Sequence, residues 1–456
     1  MTEINGGLPQ PRRIVAIAAV LSAMSLVVLD AGMTNVALPT MARALDVTPA
    51  RAILVITAYQ IALVMALLPC AALGDRFGLR RVFGAGVVVF TLASALCAMA
   101  PSLPWLAGAR FVQGLGGAAV MAMGVALLRL TVPPAQLGAA IGWNALTVAL
   151  SSAAGPALGA LILASLGWPW LYLINIPLGA LALVAAVTLP TTPAAAQRID
   201  VLSVALNGAT FACLVIGAVM LPTRPGAASL VLAIAAACLI ALIRREMQKS
   251  SPLIPLDLLR DRSFRTSVIA SVFCFSGQTA GLVALPFYLQ HGLGQTPLTT
   301  GLYLTAWPLS VAATALVAGR LADRMPTAWL CAFGGGCLAI GLAAIALWPL
   351  HGDTRLIILF AVVCGVGFGL FQVPNNRNMF LSAPAHRSGA AGGLQGTARL
   401  LGQTAGAVLM TVLFTMTPMR SAPTIGFAIG AALALVAGLV SMLRSEPVDK
   451  VSDSPV

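Results

Sequence analysis

The sequence predicts an all-α membrane protein: two parallel six-helix bundles with two extra helices between them, fourteen transmembrane helices in all. Three observations predict it. Hydrophobic residues make up 59% of the 456 residues and charged residues only 9%, against roughly 25% charged in a soluble domain. Mean hydropathy is +0.96, so too few polar side chains remain to coat a water-facing surface. Apolar runs of about twenty residues, enough to cross ~30 Å of hydrocarbon, recur along the whole chain. Lastly, short motifs return at an offset of 247 or 248 residues, the mark of an internal repeat.

The runs lie near 14–38, 52–73, 82–100, 105–128, 138–164, 169–189, 201–221, 227–243, 266–290, 300–319, 327–348, 355–374, 388–416 and 424–443. They are continuous rather than alternating and far exceed the ~10 residues of a barrel strand. The first carries Asp30, closes at Pro39 and is too long for the ~7–15-residue core of a cleavable signal. The second ends in a basic loop with Asp75, Arg76, Gly78, Arg80 and Arg81. Arg110 stands in the fourth, and Gly155, Pro156 and Gly159 interrupt the fifth. The seventh and eighth form the extra pair, and the ninth opens the second bundle. The resulting divisions are an N-terminal tail (1–13), a first bundle (14–190), the extra helices with a cytoplasmic linker (191–265), a second bundle (266–443) and a C-terminal tail (444–456).

A net charge of +13 would suggest nucleic acid in a soluble chain. Here the charges fill short gaps between apolar runs, so no nucleic-acid partner is expected. With the N-terminus inside, inner loops and tails hold 19 of the 26 basic residues and outer loops hold 5. Only Arg110 and Arg399 lie within spans. That bias places both termini in the cytoplasm.

The repeat is read from three correspondences. Val36-Ala37-Leu38-Pro39 answers Val283-Ala284-Leu285-Pro286, and Gly155 with Gly159 answers Gly402 with Gly406, both at 247 residues. Leu73-Gly74-Asp75-Arg76 answers Leu321-Ala322-Asp323-Arg324 at 248. Six spans are an even number, so the halves share one orientation. Parallel halves place a substrate site between them near mid-membrane, and rocking about it gives alternating access.

The motifs carry a resemblance. Leu29-Asp30-Ala31-Gly32-Met33-Thr34-Asn35-Val36-Ala37-Leu38-Pro39, Gly74-Asp75-Arg76-Phe77-Gly78-Leu79-Arg80-Arg81, Arg110-Phe111-Val112-Gln113-Gly114, Ala154-Gly155-Pro156-Ala157-Leu158-Gly159-Ala160 and Leu173-Ile174-Asn175-Ile176-Pro177-Leu178-Gly179 together resemble the major facilitator superfamily. More narrowly, the chain resembles its fourteen-span drug:proton antiporters. Pro374-Asn375-Asn376-Arg377 and Thr397-Ala398-Arg399-Leu400-Leu401-Gly402-Gln403 look like efflux pumps for methyl viologen and quaternary ammonium compounds. Three positions depart from the family pattern: Ala71 and Ala160 replace usual glycines, and Leu79 a usual basic residue. The resemblance implies a bacterial inner-membrane transporter.

Of thirteen acids, only Asp30 lies inside a span, where an ionised carboxylate costs at least ~2.5–3.5 kcal/mol. Asp30 stands roughly 13 Å before Pro39 and Arg110 roughly 9 Å past Pro104, so both sit in the outer half of one bundle. Burial disfavours a charged carboxylate, whereas a neighbouring Arg or a bound cation favours it. A rocking motion that alters both would load and release a proton at Asp30. The alternative is a fixed Asp30–Arg110 pair that only holds helices together.

The resemblance further implies a gating motif (Asp75, Arg76, Gly78, Arg80, with Asp323 and Arg324 less complete in the second half) and an antiporter hinge (Gly155, Pro156, Gly159). A plain basic loop and plain helix packing are the alternatives. Polar and aromatic residues within spans are the cavity candidates: Tyr59, Gln60, Trp143, Asn144, Gln278, Tyr303, Trp307, Asn375, Arg399 and Gln403. Aromatic faces attract organic cations. Arg399 is open to snorkelling, a lipid phosphate or substrate.

These readings converge on proton-coupled efflux of hydrophobic, cationic compounds. The alternative is export of an endogenous metabolite or anionic compound using Arg110 and Arg399. No enzyme activity is expected, because His291, His351 and His386 fall in loops and no nucleophile–base set lies within the spans. No cofactor or metal is expected either: no two of the eight cysteines have zinc-like spacing. Two bundles in one chain already enclose a cavity, so a monomer is expected.

Overall fold

The computed structural model describes residues 7–133, 136–192, 200–247, 249, 256–348, 354–384 and 388–444. Both tail ends, parts of the linker, and Arg198, Arg387, Lys450, His351 and His386 lie outside them. Sixteen α-helices follow one another, with no strand among the described residues. The first bundle comprises α1 (Arg12–Ala44), α2 (Pro49–Ala52), α3 (Leu54–Phe77), α4 (Leu79–Ala98), α5 (Leu103–Thr131), α6 (Leu137–Ser165), α7 (Trp170–Leu173) and α8 (Asn175–Ala186). The extra pair is α9 (Val201–Met220) and α10 (Pro225–Glu246). The second bundle comprises α11 (Arg262–Phe287, prolonged by a π-turn), α12 (Pro297–Leu321), α13 (Thr327–Leu347), α14 (Arg355–Ser382), α15 (Ser388–Met416) and α16 (Ala422–Met442).

Among the described residues, thirteen helical runs are long and apolar enough to cross a membrane, and the shorter run Trp170–Ala186 occupies the sixth place. The sixth span is shorter than the 169–189 run the hydropathy predicts. Pro177 has no N–H to give the Leu173 carbonyl, so the hydrogen bonding lapses for one residue at Ile174, while the backbone there stays helical at φ −62° and ψ −23°.

Within the first half, α1 packs on α6 and α8, and α5 on α3 and α4. In the second, α11 packs on α15 and α16, and α14 on α12 and α13. Two seams join the halves, α6 against α12 and α3 against α15, and α9 reaches across the second seam to touch both its helices. One apolar cluster spans both halves at the end remote from the termini, including Val36, Ile53 and Leu171 of the first and Leu285, Leu304 and Trp307 of the second. Nearer the termini the core divides. Val20, Phe83 and Leu127 centre one cluster, and Phe264, Met379 and Ala391 another. The bundles are thus fused at the remote end, while beside the termini each has its own cluster, the first reached from α15 by Leu400.

Candidate functional site

Asp30 projects from the middle of α1 and Arg110 from near the start of α5; each is 1% exposed, and they form an ion pair. The other carboxylate oxygen of Asp30 accepts from Gln113 Nε2 at 3.0 Å and from Asn175 Nδ2 at 2.8 Å. Both amides also donate to Ser94 Oγ, at 2.8 and 3.3 Å. Gln113 follows Arg110 by one helical turn and accepts from its guanidinium at 2.5 Å. Asn175 is the first residue of α8, two positions before Pro177. Arg110 Nε donates to the Val55 carbonyl at 3.3 Å. The guanidinium also lies 4.2 Å from the Tyr59 ring centre and 5.6 Å from that of Tyr172, a geometry in which aromatic faces stabilise a cation.

In this conformation the carboxylate is sealed. Three donors from α5 and α8 converge on it. The second half has no counterpart: the 247-residue offset maps Asp30 onto Gly277, where even a Cβ would stand 2.5 Å from the Gly430 carbonyl oxygen.

Gly155, Pro156 and Gly159 bear directly on this cluster. A Cβ at Gly155 would stand 3.1 Å from Gly32 Cα and 3.3 Å from the Leu29 carbonyl, and one at Gly159 only 2.7 Å from Met33 Cα. The backbone of α6 therefore lies on α1 beside Asp30, an approach that only glycine permits. A different face of the same turn meets the second bundle. A Cβ at Gly301 of α12 would stand 2.7 Å from the Pro156 carbonyl and closer still to Ala160 Cβ. One segment is wedged between the charge cluster and the opposite half.

At the termini end, Gly78 separates α3 from α4 with φ +94°, a left-handed conformation suited to glycine. Leu79 N donates to Thr192 Oγ1 at 2.9 Å, and Arg80 reaches the Leu189 carbonyl at 3.4 Å. Asp75 is exposed and has no ion pair with a described residue. Arg76 lies over the Phe77 ring. In the second half Asp323 pairs with Arg377 at 2.8 Å, and Arg377 also bonds the Ala322 carbonyl. Arg324 enters through its backbone N–H, bonded to Leu321 O at 3.0 Å.

The ten cavity candidates do not form one cluster. Tyr59 belongs to the Arg110 site. Tyr303 donates to Thr354 Oγ1 at 3.2 Å, near the remote end. Trp307 is buried with its ring over Gly281 and its Nε1 unpartnered. Asn375 donates to Ser271 Oγ at 2.7 Å and accepts from Arg444, fixing the end of α16. Trp143 is 59% exposed on α6. Gln60 and Asn144 each keep a buried oxygen without a partner, and Gln278 and Gln403 are half-buried.

Arg399 differs from all of these. It is half-buried, its Nε has no hydrogen-bond partner, and no described acid pairs with it. On α15 it stands about 60° from Gly396 and from Gly402 by helical geometry. Gly396 contacts Leu67 of α3, and Gly402 contacts Phe275 of α11. Arg399 therefore lies on the stripe between the faces that meet the first and second halves.

Sequence reasoning singled out the Asp30–Arg110 pair but not Gln113, Asn175, Ser94 or Tyr172 as its partners. Gln113 and Asn175 stood inside motifs already noted, one turn from Arg110 and two residues before a proline. Nothing in the sequence marks Ser94. Among the described residues, no group of three His, Cys, Asp or Glu side chains is placed to hold a metal.

The comparisons with known proteins agree with this fold. The family profile described as Major Facilitator Superfamily matches residues 20–407 and again 267–455. The second match begins 247 residues after the first, the offset of the internal motifs. The chain is 43% identical to a protein of Escherichia coli K12 named "Uncharacterized transporter YebQ", over 96% of this chain and 97% of that one. It is 32% identical to the "Tetracenomycin C resistance and export protein" of Streptomyces glaucescens, over 89% and 76% of the two chains. Among solved structures, a POT family transporter in complex with 5-aminolevulinic acid superposes with a TM-score of 0.73 at 16% identity, over 93% of this chain and 94% of that one. This last likeness concerns the fold alone.

Proposed function

Because the chain belongs to the major facilitator superfamily, we propose that this multi-pass membrane protein is a proton-driven exporter of hydrophobic small molecules, of the fourteen-span kind. In this reading it is a monomer, both termini are cytoplasmic, and residues 14–190 and 266–443 are the bundles that rock. The observation that carries it is the Asp30–Arg110 pair, sealed beside a helix that also grips the opposite bundle.

The cycle follows from that placement. In the state described here the bundles are fused at the remote end and Asp30 is paired. A substrate from the cytoplasm enters between the halves. Opening the remote end pulls α6 with α12, shifts it against Gly32 and Met33, and parts Asp30 from Arg110. A proton from outside then forms an O–H bond on Asp30 in place of the Arg110 contact. On return, Arg110 closes on the carboxylate and the proton leaves to the cytoplasm. The Asp75 loop is the proposed cytoplasmic latch, open in this state, with Asp323–Arg377 its second-half equivalent. Export is supported by the relative named for tetracenomycin C resistance and export.

A cationic substrate would compete with Arg110 for Asp30. Arg399 favours a second reading, in which the cargo carries an acidic or electron-rich group. It is a cation between the halves with no described acid beside it, whereas Arg110 is already neutralised by Asp30.

The test uses proteoliposomes with an imposed pH gradient. Adding substrate should release protons from the parent protein and none from Asp30→Asn; equal release from both would refute the assignment to Asp30. Cationic and anionic dyes are compared in the same vesicles. If Arg399→Gln lowers transport of the anionic dyes only, the cargo is acidic; if both dye classes are unaffected, the second reading fails.

A further inference from the structure

The extra helix α9 walls a cavity that the transport cycle does not use. It has a volume of about 330 Å³ and lies between Ile61 and Val64 of α3, Phe211, Leu214 and Ala218 of α9, and Thr404, Ala405 and Val408 of α15. Its walls are hydrocarbon. Thr404 is the one lining residue with a side-chain polar atom, and its hydroxyl is turned back onto its own helix, donating to Leu400 O at 2.8 Å. An apolar space of this kind does not hold water.

Depth and opening identify what does fill it. Phe211 is ten residues into α9, roughly 15 Å along the helix, and Ile61 is roughly 10 Å into α3, so the cavity sits well inside the bilayer. Leu214, on its rim, is 40% exposed on the outside of the bundle. The cavity therefore opens sideways to lipid, on the face of α15 away from Arg399. It is also a built feature: α9 is tethered to α3 by Asn207 Nδ2, which donates to the Met65 carbonyl at 2.9 Å, while α9 also touches α15. The tether holds α9 over the seam without closing it.

We propose that this cavity is a lateral binding site for one acyl chain of a membrane phospholipid, inserted under α9 between α3 and α15. The volume accommodates about ten groups the size of a water molecule, the bulk of part of a fatty chain rather than of a whole lipid. The chain fills a wedge in the seam between the two bundles. The extra helices thereby let a lipid chain seal the seam while leaving it able to shear.

The experiment reconstitutes the full-length protein in vesicles containing a phospholipid with a photoreactive group midway along one acyl chain, followed by peptide mapping. Labelling should concentrate at 211–218 and 401–409, above the level at the lipid-facing control stretch 181–187, whose Leu181 and Val184 are 65% and 71% exposed. Ala405→Trp should reduce the excess to the control level, and the milder Ala218→Leu should reduce it partly. Excess unlabelled phospholipid should compete. Labelling no higher than the control, or unchanged in Ala218→Leu when that variant is monodisperse, would overturn the proposal. So would protection by a transported dye but not by phospholipid, which would make the cavity a substrate vestibule.

Discussion

Replacing Gly301 by Ala tests whether the α6–α12 seam is the closure at the remote end. The new Cβ would stand 2.7 Å from the Pro156 carbonyl and closer still to Ala160 Cβ, well short of the ~3.5 Å of ordinary carbon contact. Neither neighbour can turn aside: one is backbone and the other is a β-carbon. The helices must separate, and overpacking of this kind costs about 1–3 kcal/mol. Because the strain arises only when the remote end is shut, it shifts the equilibrium toward the open form by roughly 5- to 150-fold. The readout is a cysteine at Val36, fully buried in that closure, with its carbonyl held by Gln290 Nε2 at 3.2 Å. Alkylation of Val36→Cys by a hydrophilic maleimide, resolved by peptide mapping, should accelerate in Gly301→Ala. Adding Ala160→Gly removes the nearer clash but not the Pro156 carbonyl, so it should restore protection in part. Unchanged protection in Gly301→Ala, with transport intact, would refute the reasoning: the seam would then be packing and not a gate.

Other outcomes follow from the same geometry. Asp30→Asn leaves Arg110 buried without a counter-charge and should cost about 3–5 kcal/mol of stability; Asp30→Asn with Arg110→Gln should recover most of it. Thermal unfolding in one detergent checks both, and neither variant should exchange protons. Tyr59→Phe removes a buried hydroxyl that has no partner and should match or exceed the parent in stability, whereas Tyr59→Leu loses the ring face beside Arg110, worth roughly 0.5–2 kcal/mol. Asp200, which caps α9, is held well below the usual carboxylate range by hydrogen bonds from Arg245 and then Lys249. A depressed carboxyl stabilises the fold above its unfolded value of about 3.9 and loses that contribution in stronger acid. Asp200→Asn should therefore weaken the α9–α10 hairpin by about 0.2–1 kcal/mol, little because the pair is partly exposed. The deficit should be constant across roughly pH 5–8 and vanish as the pH falls through the acid range, followed by thermal unfolding at each pH.

Some of this architecture was legible from residues alone. Continuous apolar runs bounded by charges located the helices, because a backbone in lipid must satisfy its own hydrogen bonds. The single acid within a span, and an Arg at matching depth, predicted the pair at the centre of the site. Which way a side chain faces was much less legible. In a soluble helix the apolar stripe marks the core, but lipid is as apolar as the interior, so the pattern does not distinguish Tyr59 beside Arg110 from Gln60 one position on. Nothing local to Asn375 shows that Arg444, distant in sequence, bonds it. The sixth span shows a local cue that hydropathy overlooks: Asn175, a polar residue in an apolar run, is the one that reaches Asp30.

Substrate-induced difference infrared spectroscopy of the reconstituted protein tests the central claim most directly, because it observes the carboxyl group itself. Adding substrate at a pH where the unliganded protein holds its proton should abolish a protonated-carboxyl band and raise a carboxylate band, and both changes should be missing in Asp30→Asn. The same two bands surviving in Asp30→Asn, or no carboxyl signal in the parent while transport proceeds, would contradict it.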